Sequence, residues 1–253
     1  MSLNSNVIIV GVGGCSRSGK TILVKELINQ YLKIKGKNIN CTDICDSIHL
    51  DTYANASKVM KNQVRTSYGN IYENWEFSGS LDWDNFYEDI KTKISEINTK
   101  IKNSSNINQK GILFVEGFLL FSPLMLNTSN EIKYLNLFDY YIFICLDKKL
   151  AKIRRMKTTT VPDDYFEEIL WPEYIKNCSN YGEFLTFQKY KNGKKVLIID
   201  GNKEYNPNIM ALCILKWMNV FNDFKLIDQN IYNSLFTSFD IQKNFIKKSL
   251  SSN

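Results

Sequence analysis

The chain has 253 residues, 44% of them hydrophobic, and its formal net charge is +6. This length allows one large α/β domain with a sizeable core, and the sequence contains neither an internal repeat nor a Pro/Gly/Ser-rich linker that would divide it. No apolar run approaches the ~20 residues of a membrane span, and the N-terminus lacks the basic-then-apolar pattern of a signal peptide. These features predict a soluble, cytoplasmic protein that does not contact membranes.

The basic residues and the cysteines argue against a nucleic-acid-binding or zinc-binding protein. Lysines are dispersed over the whole length, which is typical of a solvated surface. Only four of the 32 basic residues are arginine, namely Arg17, Arg65, Arg154 and Arg155. Three of these four lie in stretches that we assign to phosphate, which arginine binds in a forked geometry. Cys41 and Cys45 lack a second Cys/His pair at zinc spacing, so we expect reduced thiols and no metal there.

The first predicted strand leads into a phosphate-binding loop. The apolar run 7–12 precedes Gly14-Cys15-Ser16-Arg17-Ser18-Gly19-Lys20-Thr21, which matches G-x-x-x-x-G-K-[ST]. A glycine-rich turn is the alternative, but the helical spacing after Lys20 favours the loop. Its N–H groups and the helix N-terminus would hold the phosphates of ATP, Lys20 would reach the β- and γ-phosphates, and Thr21 would ligate Mg²⁺. The expected ATP contacts are Gly14, Cys15, Ser16, Arg17, Ser18, Gly19, Lys20, Thr21 and Ile22.

Hydrophobic periodicity predicts alternating helices and strands along the rest of the chain. The predicted helices are 20–35, 81–101, 148–157, 165–177 and 208–220, with a polar loop at 103–110 and a break around Pro162. The further predicted strands are 47–51, 111–117, 140–146 and 195–200. Residues 55–79 are polar and aromatic without a clear period, and the apolar positions after 222 are loosely helical. Five strands with helical crossovers predict a parallel sheet with helices on both faces.

Two acids follow predicted strands. Asp51 ends the second strand, and because ligands bind beyond the carboxyl ends of parallel strands, we expect it at the same crevice as the loop. Capping of the following turn is the alternative role for Asp51. Glu116 ends a continuously apolar strand and is followed by glycine, a position from which it could organise Mg²⁺ and its water. His49, the single histidine, is expected to pack or to bond to backbone, and we assign it no role.

Two further stretches suggest ligand contacts. Trp75 and Glu76 offer a flat ring beside a carboxylate, which could stack on a base and hold a ribose diol; an aromatic patch under a loop is an equal alternative. The helix 148–157 carries six basic residues, and a solvated helix face is the ordinary meaning of such a run. Its place after a sheet strand, with a break at Pro162, instead suggests a basic lid over phosphates at about 148–164. The basic residues are Lys148, Lys149, Lys152, Arg154, Arg155 and Lys157.

Taken in chain order, five stretches resemble the nicotinamide riboside kinases, a branch of the uridine-kinase-like P-loop kinases. They are Ile48-His49-Leu50-Asp51-Thr52-Tyr53, Asn74-Trp75-Glu76, the run 115–121, Arg154-Arg155, and Asp164-Tyr165-Phe166 with Trp171-Pro172-Glu173-Tyr174. The resemblance covers about 7–204. The loosely helical residues 223–253 are predicted to form a partly disordered C-terminal extension to a domain over 1–222, and the resemblance implies that this domain is a kinase-type α/β domain. It also implies ATP- and Mg²⁺-dependent phosphorylation of the ribose 5′-hydroxyl of nicotinamide riboside, and of nicotinic acid riboside, in NAD salvage.

The resemblance also implies residue roles. Asp51, Lys20 and Arg154 would be catalytic, with Asp51 accepting the proton of the 5′-hydroxyl. Thr21, Asp51 and Glu116 would surround the metal. The implied nucleoside contacts are Asp51, Thr52, Tyr53, Trp75, Glu76 and Arg155, and the implied further ATP contacts are Arg154, Lys203 and Glu204. The chain has Thr52 where the family usually has a second acid, it has Glu76 where aspartate is commoner, and it lacks the further arginine that many lids of the family carry near Thr158.

Two other functions stay open from the residues. Phosphorylation of uridine or cytidine is one, since a ring stacked on Trp75 could be a pyridinium or a pyrimidine, although a cationic ring gains more from a π-face and a nearby acid. A non-catalytic nucleotide-sensing or nucleic-acid-binding P-loop protein is the other, but it would need a contiguous basic face. The expected partners are therefore ATP and a small nucleoside, without nucleic acid, bound by a monomer or a homodimer.

Overall fold

The computed structural model describes residues 6–35, 44–103, 110–122, 137–158, 161–178 and 181–220. Cys41, the loop 104–109 and the predicted extension 223–253 lie outside the described residues. The strands are β1 (Val7–Gly14), β2 (Cys45–His49), β3 (Gln63–Arg65), β4 (Ile71–Glu73), β5 (Gly111–Gly117), β6 (Tyr140–Cys145) and β7 (Lys195–Asp200). The helices are α1 (Lys20–Lys35), α2 (Ala56–Met60), α3 (Trp83–Asn103), α4 (Lys148–Thr158), α5 (Asp163–Tyr165, Phe166–Leu170 and Trp171–Cys178), α6 (Tyr181–Tyr190) and α7 (Pro207–Trp217).

The main sheet is parallel and has five strands in the order β2-β5-β1-β6-β7. The central strand β1 pairs with β5 from Val7↔Gly111 to Gly13↔Gly117 and with β6 on its other side. All seven residues of β5 are buried, as expected for a parallel strand covered on both faces. The predicted fold class, a P-loop kinase-type α/β sheet, is confirmed. Among the described residues, no helix is both long and apolar enough to span a membrane.

An aromatic ring packs directly against the glycines of β1. A Cβ atom added at Gly13 would stand 2.7 Å from ring carbons of Phe121, and one at Gly11 would stand 2.8 Å from that ring. Phe121 is fully buried. Its ring lies near those of Phe138, Tyr141, Phe143 and Phe184. The missing side chains of Gly11 and Gly13 are therefore what lets this aromatic cluster approach the strand that carries the phosphate-binding loop.

The helices follow their apolar periodicity. In α3, the residues buried against the core recur every three to four positions, at Phe86, Ile90, Ile94, Ile97 and Ile101. α1 begins at Lys20 as predicted, and it packs against α7, whose first turn is capped by Asn206. These contacts bury the apolar faces of the helices, and this packing provides most of the stability that an isolated helix would lack in water.

The structure differs from the sequence prediction in four places, besides shifts of one to three residues at the ends of other elements. Helix α6 (Tyr181–Tyr190) was not predicted. β2 ends at His49, and Asp51 lies in a 3₁₀ turn over Leu50–Tyr53 rather than at the end of the strand. The aperiodic region 55–79 contains the short helix α2 and the antiparallel hairpin β3–β4, whose strands of three residues are too short for a period to be read. Helix α5 begins at Asp163, before the predicted 165, and it contains a π turn over Phe166–Leu170.

The contact between Gly13 and Phe121 predicts a coupled pair of substitutions. Gly13→Ala should destabilise the protein by about 1–3 kcal/mol through overpacking, and Phe121→Leu by about 1–2 kcal/mol. The double variant should be more stable than the sum of the two losses predicts, because the smaller side chain leaves room for the new methyl group. Urea denaturation of the four proteins measures this. Additive losses would show that the two residues do not share the space.

Candidate active site

The phosphate-binding loop joins β1 to α1 in a conformation that needs glycine. Gly14 has φ +146° and Gly19 has φ +100°, and Arg17 between them also has a positive φ of 64°. The side chain of Lys20 is buried, and its Nζ donates a hydrogen bond of 2.9 Å to the carbonyl oxygen of Cys15. Burial raises the pKa of the Cys15 thiol to about 12, which leaves it protonated and unreactive. The loop thus folds around the ammonium group of its own lysine.

A carboxylate from the neighbouring strand lies beside the loop. Thr21 Oγ1 donates a hydrogen bond of 2.7 Å to Glu116 Oε1, and the Nδ1 atom of His49 contacts the same oxygen. Glu116 is only 4% exposed, and its other oxygen, Oε2, is buried without a hydrogen-bond partner among the described residues. His49 therefore does not merely pack or bond to backbone, as the sequence suggested. Both residues lie at predicted strand ends, but their contact depends on β2 and β5 being neighbours in the sheet, where His49 and Glu116 are partners in the register.

The residues around Glu116 fit a magnesium ion. An unpaired buried carboxylate oxygen is costly unless it meets a cation or a donor, and a carboxylate with a threonine hydroxyl supplies the oxygen ligands that Mg²⁺ prefers. Within the described part of the chain, no three His, Cys, Asp or Glu side chains form a metal-binding group. Mg²⁺ ordinarily takes its remaining ligands from substrate phosphates and water.

Two open cavities flank the loop. The first, of about 430 Å³, is lined by Ile144, Ile199, Lys203, Glu204, Tyr205 and Met210 together with loop residues. The second, of about 490 Å³, is lined by Ser16, Lys20, Thr21, Asp51, Arg155 and Lys157 together with other loop residues. Arg17, Gly19, Ile22 and Arg154 line both cavities. The structure thus brings Asp51, Lys20 and Thr21 to one cavity, and Lys203 and Glu204 to the adjoining one.

Four of the six basic residues of α4 form two groups with different contacts. Arg155 Nη1 donates a hydrogen bond of 2.8 Å to Ser16 Oγ in the loop, and Arg154 Nη2 donates one of 3.0 Å to the carbonyl oxygen of Gly201. Lys148 and Lys152, in contrast, pair with Glu167 of α5 at 3.0 and 2.6 Å. The arginines are therefore held at the cavities, while the two lysines hold α4 against α5.

Glu76 is a buried acid beside Arg155. The two side chains form an ion pair, at 4.0 Å between Glu76 Oε1 and Arg155 Nη2. Burial raises the pKa of Glu76 to about 7; the charge of Arg155 opposes this increase, and that of Asp51 adds to it. Trp75, next to it, is 43% exposed. Neither Trp75 nor Glu76 is among the residues that line the two cavities, so Arg155 is the link between Glu76 and the loop.

Thr52 and Tyr53 are engaged within their own part of the structure. Thr52 Oγ1 donates a hydrogen bond of 2.7 Å to the carbonyl oxygen of His49. The Tyr53 hydroxyl donates one of 2.6 Å to Asp89, and its ring packs edge-on against Phe86 with centroids 5.0 Å apart. These contacts fix the 3₁₀ turn that presents Asp51.

The hairpin β3–β4 is attached to α5 by acids for which the sequence predicted no contact. Asp164 accepts hydrogen bonds of 2.8–2.9 Å from Thr66, Asn70 and Tyr72. Glu168, one turn later, accepts from the backbone N–H of Ser67 at 2.7 Å. The i,i+4 spacing of the two acids was the signal for a shared helix face. Since β4 leads directly into Asn74, the position of Trp75 and Glu76 depends on this attachment.

The fold and the site together define an α/β protein that carries a phosphate-binding loop at the end of the central strand of a parallel sheet. No protein-family model matches the chain, and no significant match was found among curated proteins. Among solved structures, an unliganded sugar kinase from a Janibacter species is 13% identical, with 85% of this chain and 95% of that chain covered and a TM-score of 0.39.

Two shikimate kinases are similar to the same degree. The one from Acinetobacter baumannii, in complex with shikimate, is 12% identical over 84% of this chain and 93% of that chain, with a TM-score of 0.38. The one from Bacteroides thetaiotaomicron is 10% identical over 83% and 98%, with a TM-score of 0.37. At these TM-scores we base no functional conclusion on the similarity.

The raised pKa of Glu76 predicts how stability depends on pH. Because burial favours the protonated form, this residue's contribution to stability is complete below the ordinary pKa of 4.5 and is lost as pH rises through about 7. As pH rises through that window, the free energy of unfolding of Glu76→Gln should therefore increase relative to that of the wild type by up to about 3 kcal/mol. Urea unfolding at a series of pH values measures the difference. The matched change Glu88→Gln, at a side chain that is 64% exposed, should show no such trend. A constant difference between Glu76→Gln and the wild type would contradict the prediction.

Proposed function

We propose that this protein is an ATP- and Mg²⁺-dependent kinase that phosphorylates the ribose 5′-hydroxyl of a nucleoside, with nicotinamide riboside as the substrate and nicotinic acid riboside as a further one, in NAD salvage. The observation that carries the proposal is that exposed Asp51 opens onto the same cavity as Lys20 and Thr21. A sugar hydroxyl between this carboxylate and a phosphate held by the loop would meet both the acceptor of its proton and the group that it attacks.

ATP would lie across both cavities. The amide groups of the loop and the N-terminus of α1 suit the phosphates, and the first cavity offers Ile22, Tyr205 and Met210 to an adenine ring. Lys203 and Glu204 lie at its wall and supply polar edges for the base. The arginine shared by both cavities, Arg154, would lie beside the phosphates between them.

Phosphoryl transfer mainly requires positioning and charge stabilisation from this chain. Thr21 and Glu116 would hold Mg²⁺, which offsets the negative charge on the phosphate oxygens. Lys20, Arg154 and Lys157 surround the second cavity with positive charge, where it would stabilise the transferring group. Asp51 would orient the attacking hydroxyl and accept its proton. α4, as the proposed lid, would cover the site and exclude water. Without this cover, water could take the place of the nucleoside hydroxyl and hydrolyse ATP.

The nucleoside would extend from Asp51 toward Trp75 and Glu76. The exposed ring of Trp75 offers a stacking surface, and Glu76 beside it can bond the ribose hydroxyls. A cationic pyridinium gains more from a π-face and an ionised acid than a neutral pyrimidine does. This difference favours nicotinamide riboside over uridine and cytidine. In this proposal, residues 1–222 form the kinase domain and residues 223–253 form a C-terminal extension to it, as expected from the sequence.

Substitution of Asp51 tests the proposed chemistry. Asp51→Asn should lower kcat by about 10²–10⁴-fold because the hydroxyl loses its proton acceptor, whereas ATP affinity should change by less than about twofold. Steady-state ADP release and equilibrium titration with ATP measure the two quantities. The control is Asp84→Asn at the exposed first turn of α3, which should change neither. Near-normal turnover by Asp51→Asn would remove this residue from the mechanism.

A panel of nucleosides tests the substrate. With ATP and Mg²⁺, we expect nicotinamide riboside to give the highest kcat/KM, nicotinic acid riboside to follow, and uridine and cytidine to be weaker by roughly fivefold, the ratio that about 1 kcal/mol of cation–π contact would give. Preference for uridine or cytidine would identify a pyrimidine nucleoside kinase. If no nucleoside stimulates ADP release, the non-catalytic alternative applies, and filter binding of nucleic acid at two salt concentrations would then reveal any electrostatic binding.

A further inference from the structure

The two oxygens of Glu116 have unequal surroundings. Oε1 accepts a hydrogen bond of 2.7 Å from Thr21 and also contacts His49 Nδ1. Oε2 is buried, and no described residue is bonded to it. One oxygen of the carboxylate is thus bonded to the loop and to β2, and the other is left for a group that the described residues do not supply.

The contacts of His49 are satisfied by one neutral tautomer. With the proton on Nδ1, the ring donates to Glu116 Oε1, and Nε2 is left as an acceptor. The hydroxyl of Ser47, two residues earlier on the same face of β2, lies 3.4 Å from Nε2 and can donate to it. His49 is about one third exposed, so its ring is fixed mainly by these contacts and by the β2–β5 pairing.

We propose that His49 is a positioning residue for the metal site: by donating to Glu116 Oε1, it holds the carboxylate so that Oε2 and the lone pairs of the Thr21 hydroxyl face a divalent cation. This inference rests on the proposed function only in that the loop binds a metal–nucleotide complex. His49 itself is not the ligand, because its Nδ1 is occupied by Glu116 and because Mg²⁺ prefers oxygen.

The physical reason is that Thr21 alone cannot fix the carboxylate. A hydroxyl has a single hydrogen, and only while that hydrogen points to Glu116 are both lone pairs of Thr21 turned away from the acid. A single hydrogen bond still allows the carboxylate to rotate. A second donor to the same oxygen removes that freedom, and loss of such outer partners typically weakens metal binding by about 10–100-fold.

The experiment measures Mn²⁺ binding directly rather than activity. Mn²⁺ is titrated into the full-length protein with saturating ADP, and free Mn²⁺ is followed by electron paramagnetic resonance. His49→Ala should weaken Mn²⁺ affinity by about 10–100-fold, while the affinity for ADP without metal should stay unchanged. His49→Asn should bring Mn²⁺ affinity back to within about threefold of the wild type, because an asparagine amide N–H can occupy the place of Nδ1–H.

Each other outcome is informative. Equal Mn²⁺ affinity in the wild type and in a folded His49→Ala variant would overturn the inference. Equal losses in the Ala and Asn variants would also overturn it, since they would assign His49 a packing role. If the wild type binds Mn²⁺ with ADP and the variants behave as expected, but no nucleoside stimulates ADP release, then the proposed kinase function fails while the role of His49 stands. If the wild type does not bind Mn²⁺ with ADP, both are wrong.

Discussion

The parallel register of β2, β5 and β1 is the constraint on which the site depends. These strands are neighbours in the sheet, and they end at the same edge. Glu116 is the strand partner of Val12 on one side and of His49 on the other. The acid is thereby placed between the strand that leads into the loop and the strand that leads into the turn of Asp51. Hydrogen bonding of the backbone, rather than side-chain contact, determines which side chains meet there.

Charge pairing on α4 decides which basic residues can serve phosphate. Lys148 and Lys152 are one turn apart and therefore lie on the same helix face, where they meet Glu167, and Lys152 also meets Asp163. Arg155, three residues after Lys152, lies on nearly the same helix face but is bonded to Ser16 of the loop, whereas Arg154 lies on another face and is bonded to the carbonyl oxygen of Gly201. The basic run of α4 thus contains residues of two kinds. Lys148 and Lys152 form ion pairs with α5, whereas the two arginines are held at the cavities.

The sequence predicted well what depends on long apolar periods and on the loop motif. Helix α1, strand β5 and strand β7 have the predicted bounds, because continuous burial leaves a strong pattern. The hairpin β3–β4 was missed, since its short strands are stabilised by Asp164 and Glu168 from a segment about 100 residues away in the sequence. The contact of His49 was also missed because it depends on strand order, which local patterns do not determine. Asp51, in contrast, lies at the cavity beside the loop, as the sequence predicted, although it belongs to a 3₁₀ turn rather than to a strand.

Arg155 connects the two ends of the site electrostatically. Its guanidinium is bonded to Ser16 in the loop and lies 4.0 Å from the buried carboxylate of Glu76. Burial favours the protonated acid, and among the neighbouring charges that of Arg155 opposes this most strongly. Any phosphate that attracted Arg155 more strongly toward the loop would reduce its support for ionised Glu76, whereas a cationic ligand beside Glu76 would replace that support. The protonation of Glu76 would therefore respond to phosphate bound at the loop through one shared side chain, Arg155, without any movement of the sheet.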